Sequence, residues 1–488
     1  MIFSSLSYFI FLPIVFAVYW LSPERARKFI LLVASYIFYM SWLPVYGLLL
    51  FGLTVVNYFI GLAIEKNRKS GWLLALTLFV NLGALGYYKY TNFFINTLVD
   101  VCKSVPFLSS LPLATNDHPV LNIILPLGIS FFVFEFIHYT VDIRRGSSAI
   151  KNPIDFALFS AFFPSQIAGP IKRYQQFDQQ LNEAKVMKKE DLVEGLAYIT
   201  KGLFKKVALA DNMGMISQLG AVPGANLGTA DAWVVMFCFL WQLYFDFSGY
   251  TDMGIGSARL LGFHIPNNFD LPFVASKNLI EFWQRWHITL STWLGDYVLT
   301  PLKGRRPSRT KFNICSVITM LVCGLWHGAA WHFVAWGLMN GLLLVVTREY
   351  VRFTRETNWL KAIHAQSWTV PVACFGTFLQ LCLFQSFFIA PTIPDSFDLM
   401  KAMLLYRPST MESVSLLCQS PCVVAGVLYC IYGILFVKLP YMPDLPVARI
   451  QQFLTANTSR RVAICAAICV VAVAFSPDAV SPFIYFQF

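Results

Sequence analysis

Charged side chains are scarce in this sequence of 488 residues, where they make up 13% of the chain. Soluble globular domains carry about 25% charged residues, so this scarcity argues against an ordinary soluble protein. Hydrophobic residues make up 57% of the chain, and the mean hydropathy is +0.59. Apolar stretches of about 18 residues or more recur along the whole length, as helical membrane spans require. The composition therefore predicts an all-α polytopic membrane protein with the lipid bilayer as its main surroundings.

Signatures of metal and nucleic-acid binding are also missing. The eleven cysteines are scattered, mostly within apolar runs, and no C-x-x-C pair occurs. Neither a zinc site nor a disulfide scaffold is indicated, and we expect no bound metal or cofactor. The net charge of +11 comes from cations in short loops between apolar runs. No module of interleaved basic and aromatic residues is present, which argues against a nucleic-acid partner.

Short basic loops predict the topology. Basic clusters at residues 25–28 and 66–69 flank an apolar stretch that is long enough for two spans turning near Pro44. Because positive loops favour the cytoplasm, both clusters are placed there and Met1 outside. Residues 2–21 lack a basic n-region and a cleavage-site pattern, so we interpret them as a retained span. With these three spans and one that starts at Gly71, twelve crossings are predicted, the others at 123–141, 195–218, 232–249, 313–328, 331–347, 368–390, 420–438 and 462–476.

Four further segments do not fit simple spans. Residues 156–170 are too short to cross and contain two prolines and a glycine, which favours a re-entrant segment buried in protein. Residues 171–194 are polar and predicted to be cytoplasmic. Residues 277–306 mix tryptophans with charges and predict amphipathic helices at the cytoplasmic interface. The basic residues before the last span direct it outward, so the aromatic end at 481–488 is expected on the extracytoplasmic side.

Ionisable residues inside predicted spans are functional candidates because they are costly to bury in lipid. Glu135 and His138 share the span 123–141, and for them we favour a mutually satisfied pair over chemistry. Asp246 is predicted near the cytoplasmic edge of 232–249, where a helix-end hydrogen bond is at least as good an explanation as catalysis. His327 and His332 lie between two short spans.

His327 stands in "CGLWHGAAWH", where small residues let backbones approach closely. Counted from Lys311, it lies roughly 24 Å along a straight helix, which places it at membrane depth. An imidazole there has room for a ligand beside it and suits general-base work. A buried histidine with a structural role explains the position equally well.

The segment 277–306 contains "EFWQRWHITLSTWLGDY" and has two interpretations. It is either a membrane anchor with a tryptophan belt or a cover over a site that is entered from the cytoplasm. In the second interpretation His287 faces inward, toward that site.

Several sequence blocks in the same order resemble the membrane-bound O-acyltransferase family, and within it the bacterial branch of alginate O-acetyltransferase membrane components. They include "FFPSQIAGPIKRYQQF", "EFWQRWHITLSTWLGDY", "GLWHGAAWHFVAWG" and the final "SPFIYFQF". The resemblance covers essentially the whole chain as one membrane domain, 1–488. It implies a ring of about 11–12 transmembrane helices, with re-entrant and interfacial helices, around a central tunnel.

The resemblance also implies a chemistry. His327 corresponds to the catalytic histidine of the family and His287 to its second characteristic polar position. Acetyl-CoA would be the cytosolic donor, and the acceptor would be a periplasmic SGNH-hydrolase-like acetyltransferase acting on an alginate-like polymer, cellulose or peptidoglycan. The protein would then lie in a bacterial inner membrane with both termini extracytoplasmic. Residues expected to line the donor tunnel are Trp283, Arg285, Trp286, Asp296 and Trp326.

Two positions depart from the family pattern. Gly295 stands where the family often has an arginine, in "WLRDY", and "FFVFEFIHY" carries more acidic and histidine residues than usual. The first departure affects local cytoplasmic contacts, and the second suggests a distinct substrate subgroup.

The sequence leaves more than one role open for the aromatic tail and more than one activity open for the protein. Tyr485 is either an acyl relay at the outer mouth of the tunnel or part of an interfacial aromatic anchor. For the activity, D-alanyl transfer to wall polymers and ion-coupled transport compete with acetyl transfer. The hydrophobic pattern shows no internal repeat of the kind found in many transporters, which argues against transport.

Overall fold

Helices make up the secondary structure of every region that the computed structural model describes, which is residues 1–108, 121–167, 169–270, 273–419, 466–468 and 470. These regions contain no β-strand. The chain divides into two compact units, one formed by Met1 and residues 17–185, the other by residues 2–16 and 186–488. The first helix, α1 (Leu6–Leu21), contributes to both units.

The described part of the unit of residues 17–185 contains eight complete α-helices. They are α2 (Glu24–Met40), α3 (Val45–Lys66), α4 (Gly71–Leu85), α5 (Thr91–Ser104), α6 (Ile129–Arg145), α7 (Pro153–Ala161), α8 (Phe163–Gln166) and α9 (Tyr174–Asn182). A π-helical turn, Gly86–Tyr90, joins α4 to α5. The break between α2 and α3 falls at Pro44, where the sequence predicted a turn.

The start of α6 differs from its predicted position. The span was expected from residue 123, but the helix begins at Ile129. Gly128, just before it, has φ +73°, and a Cβ atom at this position would lie 2.7 Å from the carbonyl oxygen of Gln166. A left-handed glycine in close contact with another segment interrupts a continuous helix, so the apolar run from residue 123 begins outside α6.

The prediction that Glu135 and His138 satisfy each other is wrong for Glu135, whose carboxylate pairs with a lysine instead. Lys172 donates to both carboxylate oxygens of Glu135, at 2.7 and 3.0 Å. Both side chains are at most 5% exposed. Glu135 and His138 lie three residues apart on one helix, whereas the cation comes from the segment after α8. The predicted re-entrant region forms the two short buried helices α7 and α8.

In its described part up to residue 419, the second unit contains thirteen further α-helices. They are α10 (Lys189–Leu203), α11 (Asp211–Ser217), α12 (Thr229–Leu260), α13 (Leu279–Arg285), α14 (Ile288–Leu294), α15 (Thr300–Lys303), α16 (Arg309–His327), α17 (Trp331–Glu356), α18 (Asn358–His364), α19 (Thr369–Phe384), α20 (Ser386–Ile389), α21 (Ile393–Leu404) and α22 (Glu412–Gln419). Two π-helical stretches, Phe204–Ala210 and Gly295–Leu299, continue α10 and α14.

Helix α12 is longer than the predicted span 232–249, because it runs on to Leu260. Asp246 is therefore in the interior of a helix, which corrects its predicted position near the helix end. Its carboxylate lies 3.0 Å from Nζ of Lys206. This ion pair with a lysine 40 residues away in the sequence explains how the buried charge of Asp246 is tolerated.

Four helices of the described regions are long and apolar enough to cross a membrane: Val45–Lys66, Gly71–Ser104, Thr229–Leu260 and Thr369–Ile389. The predicted crossing 420–438 and the aromatic end 481–488, with Tyr485, lie outside the described residues. Of the predicted crossing 462–476, residues 466–468 and 470 are described, and they are helical.

Candidate active site

Glycines bring α16 and α17 into close contact. A Cβ atom at Gly324 would lie 2.3 Å from the carbonyl oxygen of Phe333, and one at Gly337 would lie 2.4 Å from that of Met320. Small residues at such positions let two helix backbones approach each other directly. The hairpin predicted from "CGLWHGAAWH" is therefore present, with its turn directly after His327.

His327 is the last residue of α16 and is 5% exposed. Aromatic rings surround its imidazole. The ring centroids of Trp326, Trp336 and Phe388 lie 4.9, 5.0 and 5.1 Å from that of His327. The side chain thus lies in an apolar enclosure built by α16, α17 and α20.

His287 lies between α13 and α14 and is 1% exposed. Its backbone is left-handed, with φ 45° and ψ 53°. Among the residues that the structure describes, Met411 is the other non-glycine residue with positive φ. Such a conformation costs about 1–3 kcal/mol and persists where the surroundings enforce it, often at functional sites. The imidazole lies edge-on against Phe247, with 4.5 Å between the ring centroids.

The indole ring of Trp326 lies next to both histidines. The ring of Trp326 is 4.9 Å from His327 and 5.7 Å from His287, measured between centroids. The two histidines are 40 positions apart in the sequence: His287 directly precedes α14, whereas His327 is the last residue of α16. The structure therefore brings together the two histidines that the sequence analysis selected, and it buries both.

The other predicted tunnel residues fall into two groups. Trp283 and Trp286 belong to the aromatic cluster. The ring centroids of Trp283 and Trp336 are 6.0 Å apart. Trp286 is 4% exposed and stacks on Phe282. Arg285 and Asp296 are more peripheral. The guanidinium of Arg285 lies 4.0 Å from Glu281 on its own helix, and Asp296 is half-buried in the π-helical stretch after α14.

Sequence reasoning missed residues that hold the aromatic enclosure around His327 in place. Gln385 accepts a hydrogen bond from Trp336 Nε1 at 3.1 Å, which fixes the indole beside His327. His332, which the sequence analysis did name as a candidate, donates from Nδ1 to the carbonyl oxygen of Phe387 at 2.9 Å and so links α17 to α20. Phe388 and Gln385 lie in an apolar stretch without a motif, so only their three-dimensional contacts distinguish them. Within the described regions, no group of three or more His, Cys, Asp or Glu residues could hold a metal ion.

The sequence also matches a known family and several proteins with assigned names. The profile of the membrane-bound O-acyltransferase family matches residues 144–389, a range that includes both histidines. A probable alginate O-acetylase, AlgI, of Pseudomonas aeruginosa is 40% identical over 357 residues, which are 71% of this chain and 66% of that protein.

Two further relatives are named for polymers other than alginate, namely peptidoglycan and teichoic acid. The peptidoglycan O-acetyltransferase of Helicobacter pylori is 33% identical over 81% of this chain and 78% of its own length. The teichoic acid D-alanyltransferase of Bacillus subtilis is 32% identical over 57% of this chain and 72% of its own length. The family profile and the relatives confirm the resemblance found in the sequence, and the long apolar helices fit a membrane protein of this family. The chain belongs to the membrane-bound O-acyltransferase family and is a multi-pass membrane O-acyltransferase.

Proposed function

We propose that this protein moves an acetyl group from cytosolic acetyl-CoA across the bacterial cytoplasmic membrane, for O-acetylation of a cell-surface or secreted polysaccharide. The observation that carries the proposal is the burial of His327 and His287 around the single indole of Trp326. The names of the Pseudomonas and Helicobacter relatives support acetyl as the transferred group and a polysaccharide as the final acceptor.

In this proposal, His327 is the general base. It takes the proton from an acceptor hydroxyl, whose oxygen then attacks the thioester carbonyl. The new C–O bond forms, the C–S bond breaks, and the CoA thiolate takes the proton from the imidazolium. Because His327 ends α16, the partial negative charge of the helix C-terminus stabilises the imidazolium while it exists. General-base catalysis of this kind contributes about 10²–10⁴-fold to the rate.

His287 has a supporting role on the donor side. It would hydrogen-bond the thioester carbonyl or hold the pantetheine end, with the donor entering from the cytoplasmic side of residues 277–306. The indoles of Trp283, Trp286 and Trp326 would form the apolar wall. Arg285 and Asp296, which are peripheral in the structure, would contact the donor nearer the entrance.

Tyr485 is proposed as the relay on the outer side. Its phenol oxygen would take the acetyl group from CoA as an ester and pass it to a hydroxyl of an SGNH-hydrolase-like periplasmic partner, which regenerates the phenol. Phe483, Phe486 and Phe488 would anchor the tail in the tunnel mouth. The need for such a relay follows from the donor, because CoA is confined to the cytosol.

Purified full-length protein incubated with acetyl-labelled acetyl-CoA tests these roles. His327→Ala should reduce the release of free CoA by about 100-fold or more, because the general base is lost. His364→Ala is the matched control, since His364 is exposed and bonds to Tyr350. Tyr485→Phe should lose label bound to the tail. Near-normal transfer by the His327 variant would overturn the assignment, and full activity of the Tyr485 variant would leave the tail as an anchor.

D-alanyl transfer is the second candidate, favoured by the similarity to the Bacillus D-alanyltransferase. The higher identity to the alginate O-acetylase makes acetyl transfer the better proposal. Supplying D-alanyl carrier protein in place of acetyl-CoA separates the two activities. Ion-coupled transport, the remaining alternative, predicts solute flux without turnover of any acyl donor, and family membership argues against it.

A further inference from the structure

The backbone around His287 is held by one buried amide. Asn268 is fully buried, and its backbone carbonyl accepts a hydrogen bond from the N–H of Ile288 at 2.9 Å. Its side-chain oxygen Oδ1 accepts a second bond from the hydroxyl of Thr289 at 2.6 Å. Asn268 thus bonds to the two residues that directly follow His287.

The same amide connects this turn to α12. Nδ2 of Asn268 donates to Oγ1 of Thr251, a fully buried residue of α12, at 3.3 Å. Phe247, one helical turn earlier on α12, is the residue whose ring lies against the His287 imidazole. The amide therefore ties the left-handed turn to the helix that also supports the histidine ring.

We infer that Asn268 is a positioning residue that fixes the direction of the His287 side chain for acyl transfer. The inference rests on the proposed function, in which His287 contacts the donor. A left-handed conformation at a non-glycine residue is unfavourable by itself and must be enforced by its neighbours. The bonds to Ile288 and Thr289 supply that enforcement. Catalytic groups that are held in place in advance lower the barrier of the chemical step rather than improve donor binding.

Thr289 offers a cleaner test than Asn268, because truncation of a fully buried asparagine would also open a cavity. Thr289→Val removes the hydroxyl that bonds to Asn268 and keeps the branched shape, whereas Thr289→Ser keeps the hydroxyl. The matched control is Thr377→Val: Thr377 is also buried, but its hydroxyl donates to Ala373 within its own helix, α19.

The experiment measures donor-dependent acetyl transfer and the melting temperature of each full-length variant in detergent. Thr289→Val should lower kcat by about tenfold, the equivalent of one net hydrogen bond, with the donor KM within about twofold of wild type. Its melting temperature should match that of Thr377→Val, and Thr289→Ser should restore kcat.

Three results would overturn the inference while leaving the proposed function intact. They are a wild-type kcat for Thr289→Val, an equal loss in Thr377→Val, and a failure of Thr289→Ser to restore the rate. A wild-type protein that transfers no acetyl group from acetyl-CoA would instead overturn the proposed function, and the inference with it.

Discussion

Lys206 places a cation inside a helical segment predicted to cross the membrane. Its Nζ lies 2.8 Å from Asp211 and 3.0 Å from Asp246, and each of the three side chains is at most 2% exposed. Charges at such depth are tolerated when they neutralise one another. The triad therefore accounts for Asp246 as part of the scaffold.

Substitution of Lys206 should damage the fold far more than that of a neighbouring lysine. Lys206→Met leaves two carboxylates buried without their cation and should cost about 3–5 kcal/mol of stability. Lys201, which pairs with Asp252 and is 52% exposed, is the control. Lys201→Met should cost less than about 1 kcal/mol. Thermal unfolding in detergent measures both, and equal melting temperatures for the two variants would contradict the structural role of the triad.

Individual site residues differ in how well the sequence predicts them. His327 is recognisable because a titratable group stands beside glycine and alanine between two apolar runs. His287 is recognisable by its family motif, but the neighbouring residues in the sequence do not predict its left-handed backbone. That conformation depends on Asn268, which is remote from the turn in sequence and reaches it only in the folded chain. Partners of this kind are set by tertiary structure.

At the scale of elements, the α16–α17 hairpin holds the candidate base in position. Its helices pack backbone to backbone at Gly324 and Gly337. His327 ends the first helix, and Trp336, one residue before Gly337, contacts its ring. The spacing of the two helices therefore controls the shape of the aromatic enclosure.

Gly337→Ala should separate these helices. The added methyl group would meet the carbonyl oxygen of Met320 at 2.4 Å, so the backbones must move apart, at a cost of about 1–3 kcal/mol. Gly376→Ala is the control, because a Cβ atom at this helical position of α19 meets nothing within 4 Å. Alanine there should be neutral or stabilising. Melting temperatures and acetyl transfer of both variants check this, and equal behaviour would show that the contact does not matter.

The boundaries of elements show where sequence patterns fail. Hydropathy placed the turn at Pro44 and the break after His327 correctly, because proline, glycine and a loss of apolar character coincide there. It started α6 too early, since the close contact of Gly128 with Gln166 is invisible in a hydropathy pattern. It ended α12 too early, because the polar residues after 249 are buried and bonded; Ser257, for example, contacts Tyr8 at 2.5 Å.

On the scale of the whole molecule, membrane character and family follow from the sequence with little help from the structure. Scarce charge and long apolar helices already define a multi-pass membrane protein. The number of crossings, the ring around a tunnel and the orientation of the termini remain predictions. They depend on the placement of helices in lipid and on regions such as 420–438. Hydropathy and loop charge predict the crossings and the orientation, whereas the ring and the tunnel are implied by the family resemblance.

The central claim is that the acetyl group enters from the cytoplasm and is delivered on the opposite side. Inside-out membrane vesicles that carry the full chain, its partner and its native polysaccharide test it most directly. Acetyl-labelled acetyl-CoA is added outside, at the cytoplasmic face, and label is then measured on polysaccharide inside the vesicles. We predict luminal label with the wild-type chain and its loss with His327→Ala. Luminal label that is equal for both chains, or absent with the wild type, would contradict the account.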